Sequence, residues 1–203
     1  MIAGALGICG AWTGSTVPGI PENPKGFFEH NIIRQFITKK ILTNMRCDPL
    51  GIMELPPVDL QGNMPKLIEF IQEAIEKDGY KHDMPWLYKD AKLTLLWPIY
   101  KNTFPQATWV IVKRDEEGFI NSCLNTYFMK QHSEDREFWK KLAEEYRIRL
   151  ENLKNSGANV LEISSPDIIS GDFTQLEVLI SRLGLNYREK ELKEFISPAY
   201  WHS

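Results

Sequence analysis

Val110-Ile111-Val112-Lys113-Arg114-Asp115 is the stretch whose reading decides the fold: an apolar run ending in a basic–acidic step, with Ser122 eight residues beyond Arg114. The run reads as a buried strand that carries Arg114 at its carboxyl end. Residues 116–128 read as the following helix, which sets Ser122 about two turns along it. A guanidinium grips two phosphate oxygens at once and a hydroxyl adds a neutral donor, so this pair suits a phosphate monoester. The plainer alternative is a salt-bridged arginine at a strand end and a small helix residue.

Outward from that stretch, strands and helices alternate. Residues 2–9 read as an apolar strand, 10–28 as a loop punctuated by Pro18, Pro21 and Pro24, and 29–42 as a helix with Ile32, Ile33, Phe36, Ile37 and Ile41 at helical spacing. After an irregular stretch at 47–63, Pro65 opens a further helix. Residues 86–89 read as a second strand, 93–104 as a helix containing Pro98, and 108–112 as the third strand. A long charged helix at 136–155, a fourth strand at 159–163 and a helix at 173–183 stopped by Gly184 complete the series. Strand–helix alternation predicts an α/β fold with a mainly parallel central sheet flanked by helices.

Bulk properties narrow the function. A chain of 203 residues with 43% hydrophobic content buries a core of its own and reads as a single domain over residues 1–203. The net charge of −3 gives no global attraction to nucleic acid or an anionic membrane, so any anion site is local. No apolar run approaches the ~18 residues of a membrane span, and the first seven residues lack the basic region of a secretory signal. Cys9, Cys47 and Cys123 are odd in number and widely spaced. That usage suits a reduced, cytoplasmic protein better than disulfides or zinc.

Ligands of such folds sit at the carboxyl ends of the strands. After the first strand comes Cys9-Gly10-Ala11-Trp12-Thr13-Gly14-Ser15-Thr16, whose backbone N–H groups and hydroxyls suit a tetrahedral anion. After the second comes Lys89-Asp90-Ala91-Lys92, and after the third Arg114-Asp115. The nucleotide-hydrolase phosphate loop, Gly-x4-Gly-Lys-Ser/Thr, fits poorly: Cys9 stands for its first glycine and Ser15 for its lysine.

Four ordered segments carry a resemblance to a known family. Thr13-Gly14-Ser15-Thr16 resembles a Ser-Gly-Thr-Ser/Thr loop, and Asn23-Pro24-Lys25-Gly26-Phe27-Phe28-Glu29 resembles Asn-Pro-Lys-Gly-Tyr-Phe-Glu. Tyr88-Lys89-Asp90-Ala91-Lys92-Leu93 resembles Lys-Asp-Pro-Arg-Leu, and Arg114 with Ser122 resembles a 3′-phosphate motif. Leu183-Gly184-Leu185 and Phe195-Ile196-Ser197-Pro198 resemble its C-terminal Leu-Gly-Leu and Phe-Ile-x-Pro. The family is that of sulfotransferases dependent on 3′-phosphoadenosine-5′-phosphosulfate (PAPS), on its bacterial and phage-like side. The resemblance implies a P-loop-like three-layer fold. It implies that Thr13, Gly14, Ser15 and Thr16 hold the 5′-phosphosulfate and Arg114 and Ser122 the 3′-phosphate. Lys89 would stabilise the leaving phosphate and Glu29 act as general base toward a small-molecule or carbohydrate acceptor, with no metal. Acceptor-pocket loops are expected at 44–64 and 126–137. Two departures stand out: Trp12 where the family carries Arg or Lys, and Val17-Pro18-Gly19-Ile20-Pro21 where it continues into a long helix. Lys25 and Lys92 are the cations available to replace the missing charge.

Plainer roles stand beside these. Glu29 suits the first turn of a helix, where a carboxylate favours the dipole. Lys89 and Lys92 are also partners for Asp90, the hydroxyls of 13–16 suit a turn, and His30 adjoins Glu29 as a secondary acid–base group. Two other functions remain in view: a non-catalytic nucleotide binder on the same fold, and a kinase-like phosphotransferase, against which the absent phosphate-loop lysine counts.

Overall fold

The computed structural model describes residues 1–21 and 23–196. Its clearest unit is the one centred on the opening stretch. Strand β1 (Thr108–Lys113) pairs in parallel with β2 (Asn159–Ser164), with Thr108 opposite Asn159, Val110 opposite Leu161 and Lys113 opposite Ser164. Parallel neighbours need a long crossover. Here the chain between them forms three helices, α5 (Glu116–Asn125), α6 (Tyr127–Lys130) and α7 (Arg136–Asn155). The Asp115 carboxylate caps α5 by accepting from the Gly118 N–H at 2.6 Å, and Asp135 caps α7 by accepting from Glu137 N–H at 3.0 Å. Trp139 of α7 is fully buried and anchors a core with Ile52, Ile120, Cys123 and Leu142.

The expected strand at 2–9 is a correction: Ile2–Ile8 is an α-helix, α1. Its buried residues Ile2, Ala5, Leu6 and Cys9 fall at the i, i+3, i+4, i+7 spacing of a helix face rather than the alternation of a strand. Gly4 makes this packing possible, because a Cβ there would lie 2.5 Å from the rings of Phe28 and Phe195. Phe195 ends α10 (Glu189–Phe195), which lies against α1. The expected strand at 86–89 survives only as a parallel bridge: Trp12 N–H donates to the Pro85 carbonyl and Leu87 N–H to the Trp12 carbonyl, both at 2.8 Å. The protein is thus mixed helix and strand, and among the described residues its extended parallel sheet has two strands. β1 is also less buried than expected, since Ile111 is covered while Val112 is exposed.

A second core unites the π-helical turn Ile33–Thr38 and α2 (Lys39–Asn44) with α3 (Leu67–Lys77) and α4 (Leu93–Thr103). A third gathers α1 and β2 with α8 (Ser165–Ile169), α9 (Thr174–Arg182) and α10. Cys9, Cys47 and Cys123 are all unbridged. Among the described residues no helix is long and apolar enough to cross a membrane.

Candidate functional site

The hydroxyl loop is folded onto the segment that follows it. Thr16 and His30 form an antiparallel bridge, with Asn31 N–H donating to the Ser15 carbonyl at 2.9 Å and Val17 N–H to the Glu29 carbonyl at 2.8 Å. Thr13 packs its methyl toward Gly7 of α1. Gly14 has a positive φ of 63°, and a Cβ there would fall 2.5–2.6 Å from Asp78 Oδ2, His30 Cδ2 and the Trp12 ring. Both its conformation and its surroundings therefore require glycine.

Ser15 points its backbone N–H and hydroxyl the same way. Both donate to the two oxygens of the Asp78 carboxylate, at 2.5 and 2.6 Å. His30, only 1% exposed, brings Nε2 to 3.2 Å from Asp78 Oδ2. Its Nδ1 accepts from the Ile33 N–H at 3.4 Å, so the ring proton belongs on Nε2. Burial lowers the His30 pKa, and Asp78 offsets only part of that. Burial also acts to raise the Asp78 carboxyl, but the Ser15 donors and the neighbouring His30 outweigh it and hold it below the usual carboxylate range.

Glu29 follows directly on Phe28, a non-glycine residue at φ 55°. Its side chain is nearly buried and paired twice: Oε1 lies 3.0 Å from Lys89 Nζ, and Oε2 lies 2.7 Å from Arg34 Nε. Lys89 is 42% exposed at its side chain, so the pair sits at the edge of solvent. Beyond Lys89, Asp90 is buried. Its carboxylate takes Lys92 Nζ at 2.6 Å, the Lys92 N–H at 2.9 Å and the Tyr88 hydroxyl at 2.9 Å. Thr38 Oγ1 then joins Tyr88 OH at 2.7 Å to Tyr100 OH at 2.8 Å. Lys92 is thus paired, buried, with Asp90 of its own segment. Lys25 turns toward α10, donating to the Phe195 carbonyl and standing 4.5 Å above its ring.

Arg114 lies at the carboxyl end of β1 against α5, close enough that a Cβ on Gly118 would be 3.0 Å from its Nε. Ser122 is one turn further along that helix, four residues from Gly118 and so on the same face. Burial lowers the Arg114 pKa, partly offset by Asp115.

The backbone therefore brings Gly14, Ser15 and Thr16 beside Glu29, and an ion pair adds Lys89; Arg114 and Ser122 form a second group on β1 and α5. Sequence reasoning missed Asp78 and Arg34. Arg34 stands five residues after Glu29, on a π-helical turn that no simple periodicity announces. Asp78 reaches Ser15 across 63 positions, with no local signal. A cavity of about 620 Å³, walled by Leu6, Trp86, Phe104, Trp109 and Leu183, lies along the amino-terminal half of β1, at the other end of the strand from Arg114. It lies outside the loops 44–64 and 126–137 expected to line an acceptor pocket. The C-terminal Ser197-Pro198 likeness falls outside the described residues. Among the described residues, no group of three His, Cys, Asp or Glu side chains is placed to hold a metal. No family model, curated protein or solved structure matches this chain.

Proposed function

We propose that this chain is a sulfotransferase that moves the sulfuryl group of PAPS to a hydroxyl or amine of a small-molecule or carbohydrate acceptor. The observation that carries the reading is the 3.0 Å approach of Lys89 Nζ to Glu29 Oε1. Two segments sixty residues apart, each carrying one expected catalytic group, meet at one point. The P-loop-like three-layer fold belongs to the same reading, supported by the parallel β1–β2 pair and the parallel Trp12–Trp86 bridge.

In this scheme the acceptor oxygen or nitrogen attacks sulfur as its proton passes to a Glu29 oxygen. The bond from sulfur to the bridging oxygen breaks, and its electron pair stays on the 5′-phosphate of adenosine 3′,5′-bisphosphate. Lys89 Nζ stabilises the charge that develops on that oxygen. Ser15, through its N–H and hydroxyl, positions the sulfuryl-bearing phosphate, with Thr13, Gly14 and Thr16 shaping the loop. Arg114 and Ser122 take the 3′-phosphate. Positioning and electrostatics supply most of the catalysis in transfers of this kind. Before reaction Glu29 is already ion-paired with Arg34 and Lys89. That pairing favours, as a second reading, a nucleotide binder without transfer.

The test is incubation with PAPS carrying radioactive sulfur and a panel of phenol, alcohol, amine and sugar acceptors. Labelled product that is lost in Glu29→Gln and Lys89→Ala supports transfer. Absence of product from every acceptor, with adenosine 3′,5′-bisphosphate still bound, selects the second reading.

A further inference from the structure

We infer that Asp78 is a built-in occupant of the loop's anion seat, so that an anionic ligand reaches Ser15 only by displacing the Asp78 carboxylate. The inference concerns regulation of the site proposed above and rests on that reading for the ligand's identity.

Two donors converge on this carboxylate, Ser15 N–H at 2.5 Å and Ser15 Oγ at 2.6 Å, and His30 Nε2 stands 3.2 Å from it. A main-chain N–H and a hydroxyl on two oxygens of one anion is the arrangement that a phosphate oxygen pair would take. Gly14 keeps the approach open, since a Cβ there would meet Asp78 Oδ2 at 2.5 Å. The carboxylate and an incoming phosphate thus compete for the same donors and repel each other.

The position of Asp78 makes it releasable. It is the residue immediately after Lys77, the last of α3, where the helix dipole disfavours a negative charge, so the two Ser15 donors are what hold its carboxylate. Gly79 follows with φ 95°, and a Cβ there would meet nothing within 4 Å, so the carboxylate has room to swing clear. Tyr80, just beyond, lies 5.1 Å from the Trp12 ring.

The experiment is calorimetric titration of the full chain and of Asp78→Asn and Asp78→Ala with inorganic pyrophosphate and, separately, with adenosine 3′,5′-bisphosphate, each in wild-type and Arg114→Ala backgrounds. Both Asp78 variants are expected to bind pyrophosphate at least about tenfold tighter than wild type, as removal of a like charge requires. Equal, weaker or absent binding in the variants overturns the inference. Tighter pyrophosphate binding together with nucleotide binding that ignores Arg114 keeps the inference and removes the sulfotransferase reading. Arg114-dependent nucleotide binding that ignores Asp78 does the reverse. NMR of the wild type supplies a readout that needs no variant: saturating pyrophosphate should move the Asp78 side-chain carboxyl resonance as it loses the Ser15 donors. An unmoved Asp78 carboxyl resonance on saturation contradicts the displacement.

Discussion

Substitution of Glu29 and Lys89 separates what each partner does for the fold from what it does for chemistry. The Glu29 side chain is 8% exposed and faces two cations, whereas Lys89 is 42% and Arg34 25% exposed. Removing Lys89 leaves Glu29 with Arg34, and the lost pair is largely screened by water, so Lys89→Ala should cost about 0.5–1 kcal/mol. Glu29→Gln removes the shared anion and leaves two cations facing each other. Breaking a buried pair costs about 3–5 kcal/mol, and discounting for the solvated partners leaves about 2 kcal/mol. For a chain of this size that is a drop of about 4–8 °C in Tm for Glu29→Gln and about 1–4 °C for Lys89→Ala. Thermal and urea denaturation of both variants and the double variant measure this directly. If Lys89 also stabilises the leaving phosphate, its loss should lower kcat by about a hundredfold or more despite the small stability change. A Glu29→Gln variant no less stable than Lys89→Ala would refute the two-cation arrangement. Full kcat in Lys89→Ala would refute the role assigned to its ammonium group.

Other perturbations probe neighbouring features. Thr38→Val, at a fully buried site, removes the hydroxyl that joins Tyr88 to Tyr100; a loss of about 1–3 kcal/mol is expected in chemical denaturation. Gly14→Ala forces a side chain into a left-handed position against Asp78, His30 and Trp12; it should destabilise the loop and abolish anion binding, read by calorimetry. Burial depresses the folded-state pKa of His30. Its stabilising contribution is therefore complete above the unfolded imidazole pKa of about 6.5 and is lost as pH falls below that value toward the folded one. Urea titrations between about pH 7 and 5 should show stability falling with pH over this window, and His30→Gln should flatten that slope.

The parts of the fold legible in the sequence are those where one residue pattern has one physical solution. The runs at 108–112 and 159–163 become the paired strands, and Arg136–Asn155, capped by Asp135 and patterned for one buried face, becomes the long helix. The run Ile2–Ile8 is short and apolar throughout, a composition that suits a strand or a helix, and it is packing that buries one helical face, with Gly4 close against Phe28 and Phe195. The site divides in the same way. Glu29 and Lys89 were identifiable through resemblance of their segments, and the ion pair joins them. Of the two readings that the sequence offers for Lys92 after the second strand, ligand contact or a pair with Asp90, the structure has the pair, buried beside Tyr88. Asp78 was invisible because its role depends on α3 ending beside the loop, a tertiary fact with no counterpart in local spacing.

The central claim is tested most directly by calorimetric titration with adenosine 3′,5′-bisphosphate, comparing wild type with Arg114→Ala and Ser122→Ala. The account predicts saturable binding that Arg114→Ala abolishes and Ser122→Ala weakens by about tenfold, the scale of one hydrogen bond to a charged group. Binding unchanged by either substitution, or no binding to the wild type, would contradict it.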